Sequence, residues 1–523
     1  MVPLIFVAFT AGAATMTIEL AAVRLLAPWY GTSSAVWTNV IGVVLAALSL
    51  GYLCGARVSA QPDPRRALGF ALAAAGIASA WLPALARPIS RFFLPEGLTL
   101  DEAASALRWG SFASAALLFA PAAFLLGTIA PLVAECVQRA RASTAGSATG
   151  LVLCASTIGS LAGTFGTTYV FVPRAGLSAT YLGAGVVLVA CGLPFLLAGR
   201  ARGPALASAG LLAGALVFAR LEPPSLRPGE RLLETRETKY QSARVVEVGA
   251  DDSRRRQLQV NESFGSFQSV WQPSVGALPD GYYYNAFALP AWWGARPGPW
   301  RVLVLGLGAG TAWRVFEGAL PAGTDFETIG IEIDPGVVAL GRAWLDLAQP
   351  GRTDRIVVAD VDARAALRLV PQRFDQIVLD AYQNQMEIPP QLASVEFFSE
   401  AAQVLASGGW MVVNVGAFGL DDPVLEALAR TMAAGFRQRV LAVRVPFSRN
   451  VALFARAEGE PPDPRGSTWT LVDGPLARLS SAMSIDGASR WFDVPERAPL
   501  DDDRNPIEVL QRASIELGGA GQP

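Results

Sequence analysis

The chain has 523 residues, 16% of them charged and 52% hydrophobic, with a formal net charge of −2; soluble domains carry about 25% charged residues. Residues 1–221 hold 13 basic and 6 acidic side chains, whereas 222–523 hold 29 basic and 38 acidic ones, so an apolar half precedes a polar half. There is no histidine, and the four cysteines (Cys54, Cys136, Cys154, Cys191) lie in the apolar half without CxxC spacing, which excludes imidazole bases, histidine–metal ligation and a thiolate zinc site.

A bilayer crossing takes about 20 mostly apolar residues. Segments 3–27, 35–58, 68–86, 110–134, 147–172, 177–198 and 205–221 meet that requirement and predict an N-terminal membrane bundle of about seven helices over residues 1–221. The first is not a cleavable leader, because it lacks a basic start and further spans follow at once. Small residues are dense, and Gly159 and Gly163 have the spacing of a close helix contact. Seven arginines in the even loops against four in the odd ones place the N-terminus in the cytoplasm. Seven full spans would put the polar half outside, and an even number returns it to the cytoplasm. Glu19, deep in the first span, is a candidate functional carboxylate, with Arg24 near the end of that span.

Residues 222–237 (LEPPSLRPGERLLETR) are a linker in composition. Short alternating runs up to 293 predict a small antiparallel β subdomain, so that 222–299 form linker plus sheet. From 301 strands and helices alternate: Arg301–Leu305, Thr328–Ile333, Ile356–Ala359, Gln376–Leu379 and Trp410–Val415 are strands with helices between them. That is an α/β Rossmann-like doubly wound sheet over 300–460, followed by a C-terminal extension, 461–523.

The first of these strands runs into Gly306-Leu307-Gly308-Ala309-Gly310 and then a helix. Glycines there let the backbone approach a ligand, and a helix start offers free N–H groups. The second strand ends in Glu332 with Asp334 two residues on, the place of a ribose acceptor. The third ends in Asp360-Val361-Asp362, suited to an adenine amino group. One such carboxylate alone is more simply a helix cap; three in register with a glycine loop predict an adenosine-type ligand. The fourth strand ends in Asp380-Ala381-Tyr382, and Gln383–Leu392 after it is a polar loop that serves either as a gate or as plain surface.

Residues 238–455 resemble the spermidine synthases, or polyamine aminopropyltransferases, and the whole chain resembles bacterial forms fused to a multi-span N-terminal region. The matching pieces are Thr238-Lys239-Tyr240-Gln241, Tyr282–Pro290, VLVLGLGAGT at 302–311, IGIEIDP at 329–335 and Asp362-Ala363-Arg364. LDAY at 379–382, EFF at 396–398, SGGWMVVNV at 407–415 and DDDRNP at 501–506 follow in order. The resemblance implies that Gln241 contacts the nucleoside, Glu332 the ribose and Asp362 the adenine. It implies Asp380 as the carboxylate facing the attacking amine, with Tyr382 beside it and Tyr240, Tyr283 and Gln383 at the substrate. The donor implied is S-adenosylmethionine or its decarboxylated form, without a metal, and the product methylthioadenosine.

The chain also departs from the family. Ala309 stands where the glycine loop usually has an acid, Tyr283 where a histidine is usual, and Gln383 in place of a second acid. These changes leave the nucleoside site intact and alter the donor-tail and amine sites. Three readings follow: an aminopropyltransferase-like transferase, an S-adenosylmethionine-dependent methyltransferase on the same sheet, and a nucleoside-sensing membrane transporter without catalysis. The expected setting is a multi-pass protein of the bacterial inner membrane with a cytoplasmic catalytic domain. Its expected partners are an amine or membrane-confined acceptor, the lipid bilayer and a second copy in a homodimer. Nucleic acid is excluded, since the polar half is net acidic without a basic stripe.

Overall fold

The computed structural model describes residues 2–31, 34–94, 100–141, 144–198, 201–221, 226–250, 253–260, 268–274, 276–294, 298–348, 353–370, 373–382 and 387–520. It packs as two units. The first is Met1–Ser225 with Glu237–Ser242; the second comprises Leu226–Arg236, Ala243–Val260 and Gly265–Pro523.

The first unit is helical: α1 (Val2–Tyr30), α2 (Ser34–Ser59), α3 (Pro64–Phe93), α4 (Leu100–Arg141), α5 (Ala145–Gly166), α6 (Val172–Ala198) and α7 (Arg202–Leu221). Asp63 starts α3 by accepting the Arg66 N–H, with Pro64 in the first helical position, where no amide hydrogen is needed. Among the described residues five helices are long and apolar enough to cross a membrane, the last running 54 residues from Ala145 to Ala198. At 1.5 Å per residue that is about 80 Å, against a hydrocarbon core of about 30 Å. It is broken accordingly: a π-helical turn occupies Thr167–Phe171, and Gly176 takes the non-helical angles φ 82, ψ 168. The break falls between the two spans expected at 147–172 and 177–198.

Glycines set the helix contacts. Gly159 faces Phe9 and Gly163 faces Ala13, so α5 runs parallel to α1; Gly69 meets Leu196 and Gly76 meets Gly185, so α6 runs antiparallel to α3. A Cβ at Gly159 would lie 1.9 Å from the Phe9 carbonyl oxygen, whereas one at Gly150 on the same helix would meet nothing within 4 Å. Gly159→Leu should therefore destabilise the bundle by about 1–3 kcal/mol or more through overpacking, and Gly150→Leu should not. Thermal unfolding in detergent checks this, and equal midpoints for the two variants would refute the packing assignment. Arg24 donates to the carbonyls of Thr238 and Lys239, so this charge pins a turn of the Glu237–Ser242 segment.

The second unit holds two sheets. The smaller has the order β1 (Glu230–Glu237), β2 (Ser242–Val248), β3 (Arg255–Val260), β4 (Ser269–Trp271), antiparallel from β2 to β4. The chain then passes through a 3₁₀ turn at Tyr283–Ala288 and α8 (Leu289–Trp293) into the larger sheet. Its elements are β5 (Trp300–Leu305), α9 (Thr311–Ala319), β6 (Phe326–Glu332), α10 (Pro335–Trp344), β7 (Arg355–Ala359), α11 (Ala363–Leu369) and β8 (Phe374–Leu379). After these come α12 (Val395–Val404), β9 (Leu405–Gly416), α13 (Pro423–Phe436), β10 (Val440–Arg444), β11 (Asn450–Arg456), α14 (Ala477–Met483), β12 (Ser489–Phe492) and α15 (Ile507–Ala520).

The strand order is β12-β10-β11-β9-β8-β5-β6-β7. Pairs from β7 to β9 are parallel, and those joining β9, β11, β10 and β12 are antiparallel. Side chains alternate across the sheet. Leu303 and Leu305 pack with α11, α12 and α13 on one face, and Val302 and Val304 pack with α9 and α10 on the other. The sheet is thus doubly wound, and β12 from the C-terminal extension completes its edge. The DDDRNP motif serves the same end: Arg364 of α11 binds Asp502 at 2.7 and 2.9 Å and Glu400 at 3.0 Å. Winding proceeds outward in both directions from β5, so a crevice opens at the C-terminal ends of β5 and β8.

Candidate active site

Gly306 lies at that crevice. Its φ is +86, and a Cβ there would sit 2.4 Å from the Asp380 carbonyl oxygen, so only glycine lets the two strand ends meet. Gly308 (φ +57) and Gly310 (φ +93) continue the loop, Gly310 capping α9. Glu332, at the end of β6, is buried and clasps the loop: one oxygen accepts the Gly308 N–H at 2.8 Å, the other the Asp334 N–H at 3.0 Å. Burial pushes its carboxyl up to about 7, against the pull of these N–H groups. The Ile333 N–H also favours its ionised form, which leaves about one of the roughly four lone-pair positions of this carboxylate for a ligand hydroxyl.

The other acids at the strand ends have structural duties. Asp334 is fully buried and caps α10 through the Gly336 N–H at 2.8 Å. Asp362 caps α11 through the N–H groups of Arg364 and Ala365 (2.9 and 3.2 Å), and its second oxygen accepts from Gln391 at 3.3 Å. Asp360 is exposed on a turn with φ 66, its N–H bonded to the Glu332 carbonyl. Of the acids read as nucleoside contacts, Glu332 is the one that the structure joins to the glycine loop.

Asp380 follows β8 and is half-buried. Its Oδ2 accepts from the Tyr283 hydroxyl at 3.1 Å, and its Oδ1 accepts from the Asn414 amide at 2.9 Å. Loss of water pushes its carboxyl up to about 7, although both hydrogen bonds favour the ionised form. Tyr283 stacks on Tyr284 at 4.2 Å, and Tyr284 in turn donates to the Gln268 carbonyl at 2.5 Å. Tyr382, expected to hold the amine beside Asp380, instead donates to the Asn414 carbonyl at 2.6 Å and accepts the Gly416 N–H at 3.2 Å. Its hydroxyl is engaged by the β9 backbone, and Tyr283 occupies the position at the carboxylate.

Asn414 was not among the residues singled out from the sequence. Its signal was an amide within the buried run Met411–Val415, where an unpartnered polar group would be costly. Gln383 lies outside the described residues. Tyr240 and Gln241 belong to the segment that packs with the helical unit; the Gln241 carbonyl closes the turn by accepting from the Thr238 N–H at 2.9 Å. Ala309 is buried in an apolar cluster with Val337 and Leu340 of α10, surroundings that would penalise a charged side chain.

The raised carboxyl of Asp380 makes stability depend on pH. The folded chain holds this proton to about pH 7, whereas an unperturbed aspartate loses it near pH 3.8. Between those values the folded state binds more protons than the unfolded state, so this group's contribution to stability falls as pH rises. Asp380→Asn should accordingly match wild type near pH 4 and exceed it by about 2–4 kcal/mol above pH 7. Denaturation of both proteins at several pH values checks this; a constant difference would contradict it.

A doubly wound domain with a glycine loop, a clasping glutamate and an aspartate at the switch point defines the class: an α/β protein of Rossmann-like fold with a candidate site at its switch-point crevice. No protein-family model matches the chain. It is similar to a probable polyamine aminopropyl transferase of Bifidobacterium longum, 31% identical over an alignment of 288 residues that covers 50% of this chain and 59% of that protein. It is also similar to polyamine aminopropyltransferase 1 of Streptomyces coelicolor, 26% identical over an alignment of 474 residues that covers 84% of this chain and 87% of that one. A probable spermidine synthase from Corynebacterium glutamicum, solved by crystallography, aligns with TM-score 0.38 and 21% identity, covering 50% of this chain and 90% of that chain. The chain is spermidine-synthase-like in sequence, and it spans about three fifths of the Bifidobacterium relative's length. The match to the Streptomyces protein is too long for the polar half alone, so it runs into the helical half.

Proposed function

We propose that the chain is a membrane-integrated transferase that moves the aminopropyl-type group of S-adenosylmethionine, or of its decarboxylated form, to an amine acceptor. The observation that carries this reading is the meeting of the Gly306 loop with Asp380 at the switch point, the place where such sheets bind and react ligands. The names of the sequence relatives support it. Gly306, Gly308 and Gly310 would cradle the donor and Glu332 its ribose, and a sulfonium donor supplies a carbon already activated for displacement.

The work left to the chain is alignment and proton removal. The amine nitrogen forms a bond to that carbon as the carbon–sulfur bond breaks, and the thioether leaves with the electron pair as methylthioadenosine. The proton left on the new ammonium passes to Asp380, steadied by Tyr283 and Asn414. Alignment accounts for about 7–11 kcal/mol of the barrier, and a placed base for about 10²–10⁴-fold in rate. Fusion to a small-residue helical bundle carrying Glu19 suits an acceptor confined to the membrane, with the protein in the inner membrane and this domain in the cytoplasm.

The test follows the acceptor. Full-length protein in native lipid receives each donor with a panel of amines and lipids, and the acceptor is analysed by mass spectrometry. Gain of a three-carbon group supports the proposal; gain of a single methyl group makes the chain a methyltransferase.

A further inference from the structure

Asp380 is one end of a chain of hydrogen bonds that leaves the crevice. Asn414 donates to its Oδ1 at 2.9 Å, Asn450 donates to the Asn414 side-chain oxygen at 2.8 Å, and the Ser448 hydroxyl donates to the Asn450 side-chain oxygen at 2.5 Å. An ionised carboxylate only accepts. Asn414 must therefore turn its NH₂ group toward Asp380, which leaves its oxygen for the NH₂ group of Asn450 and the Asn450 oxygen for Ser448. Each donor points toward the carboxylate, and the polarity follows from the charge at the end. Sheet register makes this possible: Asn450 of β11 lies opposite Gly416 and Ala452 opposite Asn414, so the two asparagines are diagonal neighbours on one face.

We propose that Asn450 is a positioning residue for Asp380, acting through Asn414 to keep an amide donor on the carboxylate. This rests on the reading of Asp380 as the base. Without Asn450 the Asn414 side chain is free to rotate and present its oxygen to the carboxylate, a repulsive contact that disfavours ionisation. Among the described residues the titratable groups facing Asp380 are Tyr283 and Tyr284 from the turn before β5 and Tyr382 from its own loop, with Glu332 across the glycine loop bound to Gly308. None of them is bonded to Asn450, so its effect is separable from theirs.

The experiment titrates Asp380 in the full-length protein by difference infrared spectroscopy, its carboxyl band being identified by loss in Asp380→Asn. Asn450→Leu, similar in branching but without hydrogen-bonding groups, and Asn450→Ala should each raise the midpoint by about one pH unit. Neither should shift it further when Asn414→Ala is already present, since residues acting in series are not additive. Two variants guard against one failing to fold. An unmoved midpoint, or a full shift added to that of Asn414→Ala, would overturn the proposal. Because the midpoint is read without turnover, a chain that forms no methylthioadenosine would sink the transferase reading and leave this test standing.

Discussion

Asp380→Asn should lower turnover by about 10²–10⁴-fold, the loss typical of a placed general base, with nucleoside binding nearly unchanged. The carboxamide has the same shape and accepts the Asn414 hydrogen bond as before, but it cannot take the ammonium proton. Wild-type turnover should fall as pH drops through about 7, because burial holds the Asp380 carboxyl protonated below that value. The variant's residual rate should be flat across that window. Steady-state kinetics from pH 5 to 9 on both proteins makes the comparison, and full turnover by the variant would remove Asp380 from the reaction.

Gly306→Val should abolish nucleoside binding and turnover together. A Cβ at this position meets the Asp380 carbonyl oxygen at 2.4 Å and the Ala381 Cα at 2.7 Å, both backbone atoms that cannot swing aside. The φ of +86 is a second penalty for a β-branched residue. The strain would push the loop off Asp380, separating the donor cradle from the base. Calorimetric titration with methylthioadenosine should show affinity reduced by at least about 100-fold, about 2.7 kcal/mol. Gly323→Val serves as the matched control: it has positive φ at an open turn far along the chain from the loop, with nothing within 4 Å. Retained binding by Gly306→Val would show that the loop does not form the cradle.

The sequence foretold the fold where one periodicity rules. Apolar runs of helical length gave α1–α7, and buried runs such as Phe374–Leu379 gave the parallel strands. It was silent on β10, β11 and β12. β12 is only Ser489–Phe492, too short for alternation to register, and its place at the sheet edge is set by pairing with β10 across the chain. For the site, the glycine loop and Asp380 were legible because strand, glycine and helix follow one another directly. The duties of Asp334 and Asp362 were not, since an aspartate at a strand–helix junction looks the same whether it caps the helix or meets a ligand. Asn414, Asn450 and the true partner of Tyr382 depend on which strands lie side by side, information held in sheet register rather than in local spacing.

The most direct measurement is of the nucleoside released by the full-length protein supplied with donor and acceptor. The account predicts methylthioadenosine, in step with the amine consumed and lost in Asp380→Asn. S-adenosylhomocysteine, or a donor returned unchanged while bound, would contradict it.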